Sequence, residues 1–202
     1  MTTTISTRSG SSTRTRGSNS MPTDTKNRTA NASRSGRLSW AARSLKAEDV
    51  TGTVIIVPAM NYPAFLAGTR TSPIDKGNMN RSFPGAPDGT VTQKIADYFQ
   101  RHLLPMADIV LDFHSGGKTL DFLPYCAAHR LRDKEQERRS FELVEAFGAP
   151  YSMAMLEIDA VGMYDTAAEE MGKIFVTTEL GGGGSATART AGIAKRGARN
   201  VL

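Results

Sequence analysis

The chain has 202 residues, with 39% hydrophobic and 22% charged side chains, the balance of an ordinary soluble globular domain. No run of about 18 apolar residues is present, and no apolar stretch opens the chain, so the sequence predicts neither a membrane span nor a secretory signal. The formal charge of +5 is unevenly spread: residues 1–39 hold seven Lys/Arg and one acid, while residues 40–202 hold 18 Lys/Arg against 19 Asp/Glu. A nucleic-acid footprint needs basic residues on a folded face. The near-neutral body predicts no nucleic-acid partner.

Residues 1–39 are rich in Ser, Thr, Arg, Asn and Gly, and poor in large apolar groups. Such a segment buries too little surface to offset its ordering entropy. It is expected to be a disordered tail ahead of a folded unit spanning 40–202. Its acid-poor composition also suits a transit peptide. Cys126 is the single cysteine, which excludes an internal disulfide, fits a reducing cytoplasm and predicts a small core residue.

Leu38 to Lys46 reads as a short helix. Thr53-Val-Ile-Ile-Val57 is a compact β-branched run, the pattern of a strand covered on both faces, and Pro58 ends it. Met60 to Gly89 is irregular, with many Gly, Pro and Asn, and too long to be a passive connector. Thr90 caps a predicted helix to Leu104, with apolar residues at helical spacing. Ala107 to Phe113 is a second strand, and Leu120 to Tyr125 a third. Leu131 to Phe147 is an amphipathic helix stopped at Gly148. Ser152 to Ile158 is a strand, Thr166 to Met171 a helix stopped by Gly172, Lys173 to Thr178 a strand, and Thr187 to Arg199 a final helix. This alternation predicts an α/β fold with a mostly parallel central sheet flanked by helices.

In such sheets ligands bind beyond the carboxyl ends of strands. Two strands end there in ionisable groups followed by glycines: Asp112-Phe-His114-Ser-Gly-Gly and Thr178-Glu179-Leu-Gly-Gly-Gly-Gly. His114 is a candidate metal ligand and Glu179 a candidate general base. Asp112 shares a strand face with His114 and is placed to fix the imidazole tautomer. A hydrogen-bonded loop histidine and a solvated glutamate are the plainer readings of the same residues. Gly181 to Gly184 lacks the Lys-Ser/Thr pair of a phosphate loop. Asn80 and Arg81, in the long irregular segment, pair an amide with a guanidinium, a grip suited to a carboxylate. A structural arginine tying the loop together is equally open. His102 and His129 are expected on the surface.

Met60-Asn-Tyr-Pro, Asn78-Met-Asn-Arg-Ser-Phe-Pro-Gly85, Asp112-Phe-His-Ser-Gly-Gly117 and Thr178-Glu-Leu-Gly-Gly-Gly-Gly184, in that order, resemble the succinylglutamate desuccinylase/aspartoacylase family, relatives of the zinc carboxypeptidases. The resemblance covers about residues 42–202. It implies a zinc-dependent hydrolase that cleaves the amide of an N-acyl amino acid, such as N-acetyl-diaminobutyrate, in ectoine breakdown. It implies His114 as a zinc ligand, Asn80 and Arg81 on the substrate carboxylate, Glu179 as the general base, and Arg70 as a group that polarises the scissile carbonyl. It also implies an upstream His-x-x-Glu pair as the other two zinc ligands. Here no histidine precedes His102, and the first glutamate is Glu48. A catalytic zinc normally takes three protein ligands. The expectations are therefore a domain incomplete at both ends, from a shortened or frame-disrupted gene, with weak zinc binding. Its activity is expected to be impaired, or reduced to binding a carboxylate ligand. A substrate ammonium would need an acidic partner, for which Glu157 and Asp159 are candidates.

Overall fold

A computed structural model describes residues 2–7, 48 and 50–202. Six strands form one sheet in the order β2-β1-β3-β6-β4-β5. They are β1 (Thr2–Thr7), β2 (Thr53–Val57), β3 (Ile109–His114), β4 (Asp121–His129), β5 (Tyr151–Met155) and β6 (Ile174–Gly182). The helices are α1 (Tyr62–Ala67), α2 (Val91–Tyr98), α3 (Lys134–Phe147), α4 (Tyr164–Glu170) and α5 (Ala188–Val201). A wider turn over Phe99–Leu103 and a tighter one over Leu104–Met106 extend α2. Among the described residues no helix is long and apolar enough to cross a membrane.

The α/β fold with helices on a central sheet is as expected, but the sheet is mixed rather than mostly parallel. β3 pairs with β6, and β4 with β5, in parallel. β1 is antiparallel to both β2 and β3, and β4 is antiparallel to β6. Strand direction is a long-range property that a run of β-branched residues does not encode. The expected disorder of the tail does not hold at Thr2–Thr7, where Thr4 pairs with Ile56 on one side and Leu111 on the other. Without that strand β2 and β3 would each leave a row of backbone groups unpaired. The threonine-rich run has the β-propensity to fill the gap. The expected helix at 38–46 lies outside the described residues.

Local signals place most helix ends. Thr90 caps α2 by accepting from the N–H of Gln93, whose side chain accepts from the Thr90 N–H. Asp133 caps α3, and Gly148 ends it in the left-handed conformation, φ 67°. Helix α1 was not legible in its Pro/Gly-rich surroundings. Asn61 caps it, its side chain accepting from the Ala64 N–H, and a proline stands in the first turn.

Alternation along the strands divides the core. Val110 and Phe175 point to one face and pack with Ala96, Phe99, Tyr164 and Ala168, under α2 and α4. Leu111, Phe113, Val176 and Leu180 point to the other and pack with Val144, Phe147, Ile193 and Ala198, under α3 and α5. Cys126 is fully buried in the second layer, and burial pushes its thiol up to about 12, so it is the inert core residue expected.

Candidate active site

β3 and β6 are parallel, so their carboxyl ends emerge together, with His114 opposite Glu179 in register. On the same face, Asp112 lies 2.8 Å from His114, its Oδ2 facing Nε2. Asp112 is almost fully buried. Burial of the imidazole works against its charged form, but the Asp112 carboxylate outweighs this and the His114 pKa is raised. Nδ1 is left facing away from Asp112. β6 continues into its glycines: Gly181 and Gly183 take φ of 71° and 59°, which a side chain rarely tolerates. This lets the Gly116 N–H donate to the Gly181 carbonyl and draws the two strand ends together.

Burial raises the Glu179 pKa, while His114 pulls it back. Its Oε2 is buried without a hydrogen bond among the described residues. A buried carboxylate oxygen with no donor, beside an imidazole, is poised to take a proton from a small polar molecule. Arg70, exposed in the loop after α1, stands close enough for its charge also to draw Glu179 down. Tyr125 was not expected in this group. It pairs with Glu179 across the antiparallel β4, and burial, then the Glu179 charge, raises its pKa. Only the strand pairing brings it there.

The Asn80–Arg81 turn is set by the rest of its loop. Asn80 Oδ1 accepts from the Tyr164 N–H at the start of α4, at 2.8 Å. Phe83 N–H donates to the Gly162 carbonyl at 3.1 Å, and a Cβ on Gly162 (φ 74°) would stand 2.7 Å from the Arg81 carbonyl carbon. Arg81 is half-exposed and lies 3.5 Å from Asp159. An exposed pair of that length is weak, so the guanidinium can exchange partners. Asp159 is thus engaged by Arg81, whereas Glu157 turns toward His129.

Asp75 holds the loop from its other side. Its carboxylate accepts from the Thr92 N–H (2.7 Å), the Thr92 hydroxyl (2.8 Å) and the Gly77 N–H (2.9 Å). Burial opposes ionisation, but these donors hold the Asp75 pKa well below the usual carboxylate range. Its folded value is depressed, so its contribution is full above the unfolded value of about 3.9 and fades as pH falls below it. Asp75→Asn is expected to flatten the loss of stability between pH 4 and 2, measured by denaturant titration. An unchanged acid limb would contradict this.

His129 corrects its expectation. It is buried at the end of β4, not exposed ahead of a helix, because Ala127 and Ala128 prolong the strand into the core and Glu169 satisfies its Nδ1. His102 is exposed as expected. Among the described residues, the one group with three ligand atoms close enough for a metal is His129, Glu157 and Asp165, and it does not include His114. Among the described residues, His114 is not joined by the two further ligands a catalytic zinc takes.

A profile described as the succinylglutamate desuccinylase/aspartoacylase catalytic domain matches residues 38–202. The chain belongs to this family. Within the succinylglutamate desuccinylase/aspartoacylase family it is 62% identical, over 158 residues, to the N-alpha-acetyl-L-2,4-diaminobutyric acid deacetylase of Halomonas elongata, covering 78% of this chain and 46% of that one. A solved succinylglutamate desuccinylase from Silicibacter sp. superposes with TM-score 0.81 at 64% identity, covering 86% of this chain and 54% of that one. The product-bound ectoine utilization protein EutE (DoeB) of Ruegeria pomeroyi gives 0.80 at 65%, with the same coverage. The chain thus spans about half the length of these family members.

Proposed function

We propose that this chain carries the substrate-gripping and acid–base residues of a deacylase for N-acyl amino acids, with N-acetyl-diaminobutyrate as its substrate in ectoine breakdown. The observation that carries this is the pairing of His114 with Glu179 at the parallel ends of β3 and β6, with Glu179 Oε2 left without a donor. Arg81 receives the substrate carboxylate in exchange for Asp159, and Asn80, tied to α4, holds the turn in place. Glu179 takes a proton from an attacking water and returns it to the leaving amine. Arg70 steadies charge that develops on the carbonyl oxygen. Asp112 fixes the orientation of His114. In the wider family this chemistry is expected to use zinc, to which His114 would contribute. Among the described residues no group of possible metal ligands includes His114, so no step is assigned to an ion. A cytoplasmic setting fits the unpaired Cys126.

Among the described residues no metal-ligating group includes His114, and in a second reading the chain binds the same ligands without turning them over. Acetate release from N-acetyl-diaminobutyrate, assayed with and without added zinc, separates the two. Turnover supports the deacylase. Binding without turnover, lost in Arg81→Ala, supports the second reading. Neither binding nor turnover would sink both.

A further inference from the structure

β4 meets Glu179 through an irregularity. Phe122 pairs with Gly181 on β6 and Tyr125 pairs with Glu179, so β4 advances three residues where β6 advances two. In unbroken pairing Pro124 would stand opposite Glu179. An extra residue of this kind is a β-bulge, a device that re-aims a side chain and recurs beside active sites. Pro124 has no N–H to give the ladder, which suits it to such a place. The bulge thus puts a half-buried phenol, rather than a proline, in register with Glu179. The Phe122 ring meets the Tyr125 ring edge-on, with centroids 6.3 Å apart, and fixes its direction.

His114 pairs with Glu179 and Glu179 with Tyr125, so the three stand in one row across β3, β6 and β4. Neighbouring strands lie about 4.8 Å apart. Tyr125 therefore flanks Glu179 on the side away from His114. Its hydroxyl makes no hydrogen bond among the described residues, and the Glu179 charge reaches it. A phenolic oxygen both donates and accepts. A ligand group that meets Tyr125 also meets Glu179. In the deacylase reading Glu179 serves two groups, the attacking water and the leaving amine. Arg70, which steadies the carbonyl oxygen, comes from the loop after β2 and α1, on the β3 side of β6. The carbonyl then lies toward His114, and the amide nitrogen toward Tyr125.

We infer that Tyr125 touches the scissile amide: its phenolic oxygen accepts the amide N–H and so turns the developing lone pair of the nitrogen toward Glu179. This rests on the reading of the chain as an N-acyl amino acid site. When the C–N bond breaks, its electron pair stays on the nitrogen and takes the proton that Glu179 drew from the water. Tyr125 keeps its own proton throughout. A ligand with oxygen in place of the N–H loses the contact.

Calorimetric titration of the full chain with N-acetyl-2,4-diaminobutyrate and with its ester counterpart, 2-acetoxy-4-aminobutyrate, is the test. The amide is expected to bind about fivefold tighter, as one neutral hydrogen bond allows. Tyr125→Phe keeps the ring and its contact with Phe122. It should bring the ratio close to one and leave the ester affinity unchanged, which also shows that the variant folds. In acetate release from the amide, kcat/KM should fall further than the affinity does, because orientation of the nitrogen is lost as well. Equal affinities in the unaltered chain, or a ratio that survives Tyr125→Phe, would overturn the contact and leave the parent reading standing. A loss of kcat/KM no larger than the loss of affinity would overturn the orienting role. Failure to bind either ligand would remove the parent reading and the inference with it.

Discussion

Glu179→Gln is expected to lower the rate of amide hydrolysis by about 10²–10⁴-fold, the usual contribution of a positioned acid–base group. Glutamine keeps the length and one carbonyl oxygen of the side chain but cannot accept and return a proton. The native carboxylate has an oxygen that is buried with no donor, and burial has raised its pKa. Both features bring its proton affinity nearer to that of an attacking water. Binding should change little, because the ligand carboxylate is assigned to Arg81 in a separate loop. The two quantities therefore split: kcat collapses and the dissociation constant of an acyl amino acid stays nearly constant. Acetate release under substrate saturation, with calorimetric affinity on the same preparations, reads both. A variant with full turnover would exclude Glu179 as the base. A variant that had lost binding as well would place Glu179 in the ligand grip instead.

Gly85→Ala is expected to cost about 2–4 kcal/mol of folding stability, a large share of the 5–15 kcal/mol typical of a domain. Two independent penalties combine. Gly85 takes φ of 86°, which costs a residue with a Cβ about 1–2 kcal/mol. The added Cβ would also stand 2.7 Å from Asp97 Cα and against the backbone of α2, which cannot yield as a side-chain tip does. The loop meets α2 at this point, the Ala86 N–H donating to the Gln93 carbonyl at 3.2 Å. Displacing it carries away the Asn80–Arg81 turn five residues earlier, so ligand affinity should fall together with the unfolding midpoint. Denaturant unfolding followed by intrinsic fluorescence would show this. A shift below about 0.5 kcal/mol would mean that the loop can lift from the helix without cost.

The sequence alone determined the parts of this molecule that depend on near neighbours. The β-branched runs at Thr53–Val57 and Ile109–Phe113 are strands because their side chains suit a covered pleated surface. Thr90, Asp133, Gly148 and Thr187 mark helix ends because capping is satisfied within a few residues. Family membership was legible because its four motifs are short and ordered. Asp112 and His114 could be set on one face from strand period alone.

Tertiary structure decided what depends on partners distant in the chain. Strand pairing made the sheet mixed, set β1 between β2 and β3, and brought Tyr125 beside Glu179. The Asn80 side chain meets the Tyr164 backbone across 84 residues, and His129 meets Glu169 across 40. No local propensity reports such contacts, since their free energy comes from burial and pairing that exist only once the sheet has closed. For that reason His129 read as a surface residue, and its grouping with Glu157 and Asp165 came only when α4 lay down across the sheet.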